Sequence, residues 1–266
     1  MKTKNFSVPL LLFILLIIIS CGKNNTSELN DYKDKITTKH LFKKKLTTFI
    51  TSDSLKIKGN YYFDSLEKAE PLIILIHQFK SKKEQWNEFF IDSLIAKGYK
   101  VIAYDIRSHG ESDKAKVGDM QLLTDKEQAP KDLEAVLKWA KHQQEIDSLR
   151  IGIVGTSIGA SLAIYGEYFL GAKSIIGISG GKSTFEGLTG FMEALMGRLV
   201  QRIPNVLFIC GDKDGNYAKD EQYIFDNYTK EPNEIKIFNS EKHGKDLIEQ
   251  FPEINTMIIN WFAKTL

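Results

Sequence analysis

Only two cysteines, Cys21 and Cys210, occur in 266 residues, too few for a disulfide scaffold or a cysteine-based metal site. Proline is scarce as well, six in all, and no internal period repeats, which excludes collagenous, solenoid and low-complexity organisation. An excess of either charge is missing: 36 Lys and Arg stand against 34 Asp and Glu, a net of +2. With no basic surplus to release counterions from phosphates, a nucleic-acid or polyanion partner is not expected. The composition, 42% hydrophobic and 26% charged, is that of a globular chain.

The apolar run near the start, Val8 to Ile19 with Pro9 inside it, is short for a membrane span. Twelve helical residues reach about 18 Å, against roughly 30 Å of hydrocarbon. Preceded by Lys2 and Lys4, it reads as a signal peptide over residues 1–20. Its end, Ile18-Ile19-Ser20-Cys21-Gly22, resembles the lipobox of bacterial lipoproteins. That resemblance implies cleavage before Cys21, lipidation of Cys21 and an exported protein held in the bacterial cell envelope. An ordinary secretory signal, or an uncleaved anchor, with Cys21 incidental is the alternative. Without residues 1–20 the balance is 34 basic against 34 acidic side chains, so attachment to the membrane would be lipid-driven. Residues 21–40 are polar and aperiodic and read as a flexible tether. Once Cys21 is lipidated, Cys210 is the one remaining thiol.

From residue 41 onward the pattern is that of one domain, 41–266. Lys45 to Ile50 and Leu55 to Phe63 flank the polar Thr51-Ser52-Asp53-Ser54, which predicts an antiparallel hairpin. Pro71-Leu-Ile-Ile-Leu-Ile-His77 has no alternation and suits a central strand covered on both faces. Further strands are predicted at 99–106, 149–155, 174–179, 206–211 and 234–238. Helices are predicted at 83–97, 130–143, 158–169, 185–200, 219–228 and 245–263. Strands alternating with helices predict an α/β fold, a mainly parallel sheet with helices on both faces.

The sharpest local signal is Gly155-Thr156-Ser157-Ile158-Gly159, between the strand Arg150-Ile-Gly-Ile-Val-Gly155 and a helix. This is the setting of a nucleophile elbow, a serine on a tight strand-to-helix turn crowded enough to need small neighbours. Ser157 also sits at a helix start, where free N–H groups favour developing negative charge. A serine hydroxyl needs a base to take its proton and an acid to orient that base. Elbow enzymes order these serine, acid, histidine. Of five histidines, at 40, 77, 109, 142 and 243, only His243 follows Ser157. The strand Phe208-Ile209-Cys210-Gly211 leads into Asp212 and Asp214. Asp214, three residues past the glycine, is preferred as the acid, with Asp212 in the loop.

Across roughly residues 41–266 the chain resembles the α/β-hydrolase superfamily, in particular its esterase, dienelactone-hydrolase-like and monoglyceride-lipase-like members. The resemblance rests on Ser157, Asp214 and His243 in the family's order at its strand ends. It rests also on Asp105-Ile-Arg107-Ser108-His109-Gly110-Glu-Ser112, which is similar to the family's Asp-X-Arg-Gly-His-Gly-X-Ser loop with Ser108 in place of a glycine. It implies an eight-stranded sheet with one antiparallel strand near its start; the 26 residues between Ser179 and Val206 are expected to give a short helical cap at most. It also implies an oxyanion hole of two backbone N–H groups, one from Ile158. The other should come from the loop after the third strand, where many relatives have His-Gly and this chain has His77-Gln78. Aligning on the histidine puts Phe79 at the donor position, with Gln78 as the alternative. His77 and the loop 105–112 read as structural.

Phe185, Leu188, Met192, Leu195, Met196 and Leu199 form an apolar helical stripe, read first as core packing and second as the lining of an acyl pocket. The expected activity is hydrolysis of carboxylic esters through an acyl-enzyme, on a small-molecule substrate, with no metal and no cofactor. An amidase, a peptidase or a thioesterase would use the same three residues. A catalytically silent ligand-binding lipoprotein is the alternative from outside the enzymes.

Overall fold

The structure, a computed structural model, describes residues 42–190 and 201–266. The signal peptide, the tether, Cys21, and Met192, Leu195, Met196 and Leu199 of the stripe lie outside the described residues.

Eight strands form one sheet: β1 Lys43–Ile50, β2 Lys56–Phe63, β3 Glu70–Ile76, β4 Lys100–Tyr104, β5 Ile146–Thr156, β6 Ser174–Ile178, β7 Val206–Gly211 and β8 Asn233–Phe238. Their order is β1-β2-β4-β3-β5-β6-β7-β8. β2 runs antiparallel to both its neighbours, and the pairings from β4 through β8 are parallel. The α/β-hydrolase architecture expected from the sequence, one antiparallel strand near the start of an eight-stranded sheet, is therefore the one observed. The hairpin turns where expected: Thr51 N–H donates to Leu55 O and Ser54 N–H to Thr51 O.

The unbroken apolar run of β3 is explained by its position. Leu72, Ile74 and Ile76 enter the core on one face of the sheet, and Ile73 and Leu75 enter the core on the other. Successive side chains of a strand point to opposite faces, so a strand covered twice needs apolar residues at every position. Each such side chain contributes about 1.5–3 kcal/mol on burial. One face is covered by α3 Pro130–Ala140, α4 Ile158–Leu170, α5 Lys182–Thr189 and α6 Tyr217–Tyr228; the other carries α1 Glu88–Ile95, α7 Lys245–Gln250 and α8 Glu253–Thr265. A short α2, Asp119–Thr124, precedes α3.

The sequence reading is corrected in four places. The helix expected from Lys83 begins at Glu88, because the Asn87 side chain accepts the Phe90 N–H and caps α1 there. Lys83–Gln85 form a separate 3-10 turn. The helix expected over 245–263 is two helices, since Pro252 lacks an N–H and holds Phe251 out of the α region. The helix expected over 185–200 starts at Lys182, and α5 is closed by Gly190 at φ +72°. α2 had no counterpart: with Leu122 as its one buried residue, it carries no period to read. Phe185 and Leu188 are fully buried, and Phe185 meets Tyr228 at 4.8 Å between ring centres. These two residues of the stripe are core.

Candidate active site

In an open α/β sheet, ligand chemistry gathers beyond the carboxyl ends of the strands. Six such ends here carry polar residues: His77 after β3, Asp105 after β4, Ser157 after β5, Ser179 after β6, Asp212 and Asp214 after β7, and the 239–244 loop after β8.

Ser157 has φ +55° and ψ −115°, a conformation that costs a non-glycine residue about 1–3 kcal/mol. The surroundings over-determine it. Its N–H donates to Ile178 O at 2.8 Å, and small residues let the turn close. A Cβ on Gly155 would overlap the Gly159 carbonyl and come within 2.7 Å of Ala160 N. One on Gly159 would approach Ile76 O to 2.6 Å, so the start of α4 sits directly against the end of β3. The Ile158 N–H, in the first position of α4, has no acceptor among the described residues, as the opening N–H groups of a helix do not.

The segment His243-Gly244-Lys245 is held at three consecutive residues by three different loops. His243 Nδ1 lies 2.8 Å from Asp214 Oδ2. Gly244 N–H donates to Ser179 Oγ at 3.0 Å. Lys245 N–H donates to Gln78 Oε1 at 2.8 Å. A carboxylate at Nδ1 fixes that nitrogen as the donor and leaves Nε2 as the lone-pair nitrogen. Asp214 is 7% exposed and His243 28%, so the acid is sheltered while the base stays reachable. Tyr217, whose N–H donates to Asp214 O, lays its ring 4.3 Å from that of His243. Asp212 does not reach the imidazole; its Oδ1 accepts the Ser240 N–H and shapes the loop that carries His243.

The loop after β3 is also pinned. His77 is fully buried; its Nδ1 lies 2.7 Å from Gln78 O, and its Nε2 accepts the Ile106 N–H at 3.0 Å. Burial pushes its pKa down to about 4. Gln78 N–H donates to Gln85 Oε1 at 3.1 Å, and Gln85 Nε2 donates to Thr156 Oγ1 at 2.8 Å. Phe79 N–H has no acceptor among the described residues. Of the two alternatives for a backbone donor in this loop, Gln78 is engaged and Phe79 is available.

The loop 105–112 is a buried electrostatic brace. Asp105 accepts from Lys83 N and Nζ and from Glu111 N. Although burial disfavours a charged lysine, the hydrogen bonds it donates to Asp105 and Glu111 raise the Lys83 pKa above its ordinary value. Arg107 bonds Asp132 through Nε and reaches Asp53 in the β1–β2 turn. Burial raises the Asp53 pKa, but the hydrogen bonds from Arg107 and Thr51 and the charge of Arg107 together outweigh it and bring the carboxyl down to about 2. Ser108 stands at φ +66°, which is why a glycine suits that position. His109 accepts Lys80 N–H at Nε2, with Nδ1 3.0 Å from Arg107 O. A cavity of about 300 Å³ lies between this loop and Phe79, lined also by Lys80, Ser81, Asp119 and Leu122.

Sequence reasoning missed Ser179, Gln85 and Tyr217. The only hint for Ser179 was a hydroxyl directly after the apolar stretch Ile175–Ile178 and before two glycines; Gln85 and Tyr217 gave none.

A family model described as serine aminopeptidase, S33, matches residues 67–167, from just before β3 into α4. An Escherichia coli protein known by its mass, 31.7 kDa, and its place in the traX-finO intergenic region is 37% identical over 89 residues, 34% of this chain and 29% of that protein. The quorum-quenching protein AidA of Acinetobacter baumannii is 28% identical over 108 residues, 41% of this chain and 34% of its own length. These matches span about a third of each relative's length. Among solved structures, an esterase of Pyrococcus furiosus superposes with a TM-score of 0.64 at 22% identity, covering 92% of this chain and 97% of its own. The sheet order, the strained serine between β5 and α4, and a matched segment that ends inside α4 agree on one architecture: the chain has the α/β-hydrolase fold.

Proposed function

We propose that the protein is a serine hydrolase of carboxylic esters, with Ser157 as nucleophile, His243 as general base and acid, and Asp214 as the residue that orients the imidazole. The observation that carries this reading is the 2.8 Å contact between His243 Nδ1 and Asp214 Oδ2. It leaves Nε2 free to take a proton at the strand ends that also present Ser157.

Ser157 Oγ attacks the acyl carbon as its proton passes to His243 Nε2. The carbonyl oxygen gains the negative charge and is met by the N–H groups of Ile158 and Phe79, neither of which has another acceptor among the described residues. Preorganised donors of this kind stabilise a transition state by about 3–4 kcal/mol each. Collapse of the tetrahedral species expels the alcohol, which takes the proton from His243. Water then attacks the acyl-enzyme with His243 again as base, and Ser157 is released. Asp214 holds the Nδ1–H of His243 in place throughout.

Support for esters over amides comes from the P. furiosus esterase, which is similar over nearly the whole chain, whereas the aminopeptidase model stops at residue 167, before Asp214 and His243. Amide hydrolysis is the second reading, favoured by that model's description. Lipidation at Cys21, following the lipobox-like sequence, would hold the enzyme at a membrane surface in the bacterial envelope.

The test is a fluorophosphonate probe on the full-length protein and its Ser157→Ala variant. Labelling of the wild type alone is expected, followed by turnover of acyl esters faster than of matched thioesters and anilides. A folded wild type that takes no label would overturn the assignment, and faster turnover of the anilide would replace esterase by amidase. Loss of membrane partitioning in Cys21→Ala tests the anchor.

A further inference from the structure

We propose that Gln78 is a positioning residue that couples the oxyanion loop to the histidine loop, a role that rests on the hydrolase reading above. Three of its polar atoms are engaged, each with a different part of the site. Its N–H donates to Gln85 Oε1 at 3.1 Å. Its carbonyl is approached by His77 Nδ1 at 2.7 Å and accepts Ser81 N–H at 3.1 Å. Its side-chain Oε1 accepts Lys245 N–H at 2.8 Å.

The last contact is a helix cap supplied from outside the helix. α7 starts at Lys245, and its cap position is Gly244, at φ +54°, with no side chain to offer. The first N–H groups of a helix lack partners within it, and a cap residue normally provides one. Here the partner comes from 167 positions away in the chain. A side chain on Gly244 would overlap Gln78 Oε1, and its Cβ would lie 3.4 Å from Thr156 Cβ. The glycine therefore leaves room for the glutamine and keeps the histidine loop against the end of β5.

The backbone contacts of Gln78 act on the other half of the machinery. The peptide between residues 78 and 79 is planar, with its C=O and N–H pointing opposite ways. Two donors on the Gln78 carbonyl therefore set the direction of the Phe79 N–H. Gln85 completes the connection by donating to Thr156 Oγ1, one residue before Ser157. Donor, base and nucleophile are thus referenced to one another through Gln78 and Gln85.

The experiment compares full-length wild type with Gln78→Met, which keeps length and loses the acceptor, and Gln78→Glu, which keeps an acceptor for Lys245 N–H. Ester kcat and KM, fluorophosphonate labelling rate and hydrogen exchange at the Lys245 amide are read. Gln78→Met is expected to lose about 10- to 100-fold in kcat and labelling, with KM within about threefold, because misplaced catalytic groups cost rate before binding. Its Lys245 amide should exchange faster, while Gln78→Glu keeps that protection and turns over several-fold faster than Gln78→Met. Should Gln78→Met fail to fold, Gln85→Met removes the acceptor of the Gln78 N–H and the donor to Thr156 Oγ1 while leaving the Lys245 contact, and is expected to lower kcat at unchanged KM. Wild-type kcat in both methionine variants, or equal losses in Gln78→Met and Gln78→Glu, would overturn the coupling role while leaving the hydrolase reading intact. An unlabelled wild-type Ser157 would overturn both.

Discussion

The ring of Tyr217 lies 4.3 Å from the imidazole of His243 and is tilted 47° to it. Tyr217 opens α6, and its N–H donates to Asp214 O, so one residue contacts both partners of the His243–Asp214 pair. Its ring limits rotation of the imidazole about the Asp214 contact and faces the positive charge that the proposed mechanism places on His243. Ring contacts of this type are worth about 0.5–1.5 kcal/mol.

Removing the ring should therefore slow the reaction moderately. Tyr217→Ala is expected to lower ester kcat/KM by about 3- to 10-fold. Tyr217→Phe, which keeps the ring, should stay within about twofold of wild type. Steady-state kinetics on one ester checks both. A Phe variant as slow as the Ala variant would assign the role to the hydroxyl instead.

The elbow makes a harsher prediction. At Gly155 an added methyl would meet backbone, the Gly159 carbonyl and Ala160 N, and not a side chain that could swing aside. Gly155→Ala must push α4 away from β5 or abandon the Ser157 geometry. A loss of about 3 kcal/mol in stability is expected, at the upper end of overpacking costs, with fluorophosphonate labelling gone. Urea unfolding and labelling of the same sample test it. A variant that folds and labels like wild type would show that the turn is less constrained than its packing indicates.

Those two positions mark what the sequence could and could not reveal. Gly155 was legible because a glycine, a serine and a glycine between strand and helix form one contiguous pattern. β3 and the sheet class were legible for a similar reason, since burial on both faces writes an unbroken apolar run. Asp214 was separable from Asp212 by its offset from Gly211, and the structure brings Asp214 to His243 while using Asp212 on Ser240. Tyr217, Ser179 and Gln85 act through contacts distant in sequence: Ser179 with Gly244 spans 65 positions and Gln85 with Thr156 spans 71. No periodicity records such pairs. Helix ends failed where one residue outweighed the pattern, as at Asn87, Gly190 and Pro252. Where many relatives have a glycine after His77 this chain has Gln78, whose side chain in the fold caps α7 while the Phe79 N–H is left without an acceptor among the described residues.

His77 gives the pH dependence. Its imidazole is buried as the neutral form, accepting Ile106 N–H at Nε2, and burial holds its pKa near 4 against an ordinary 6.5. Above pH 6.5 neither the folded nor the unfolded chain protonates it, and its contribution to stability is fully present. Between about 6.5 and 4 the unfolded chain binds a proton that the folded chain refuses, so stability falls as the pH falls. Below about 4 both states are protonated and this loss stops growing. The gap corresponds to about 3 kcal/mol between pH 7 and pH 4. Carboxylates elsewhere titrate in the same range, so the comparison must be with a variant. His77→Gln should be less stable than wild type at pH 7 and should show a shallower decline between pH 7 and pH 4, by up to about 3 kcal/mol. Urea midpoints at half-unit steps of pH, with unchanged m-values, measure the two slopes. Parallel profiles would mean that His77 accepts a proton without leaving its place between Gln78 and Ile106, and that the loop tolerates the charge.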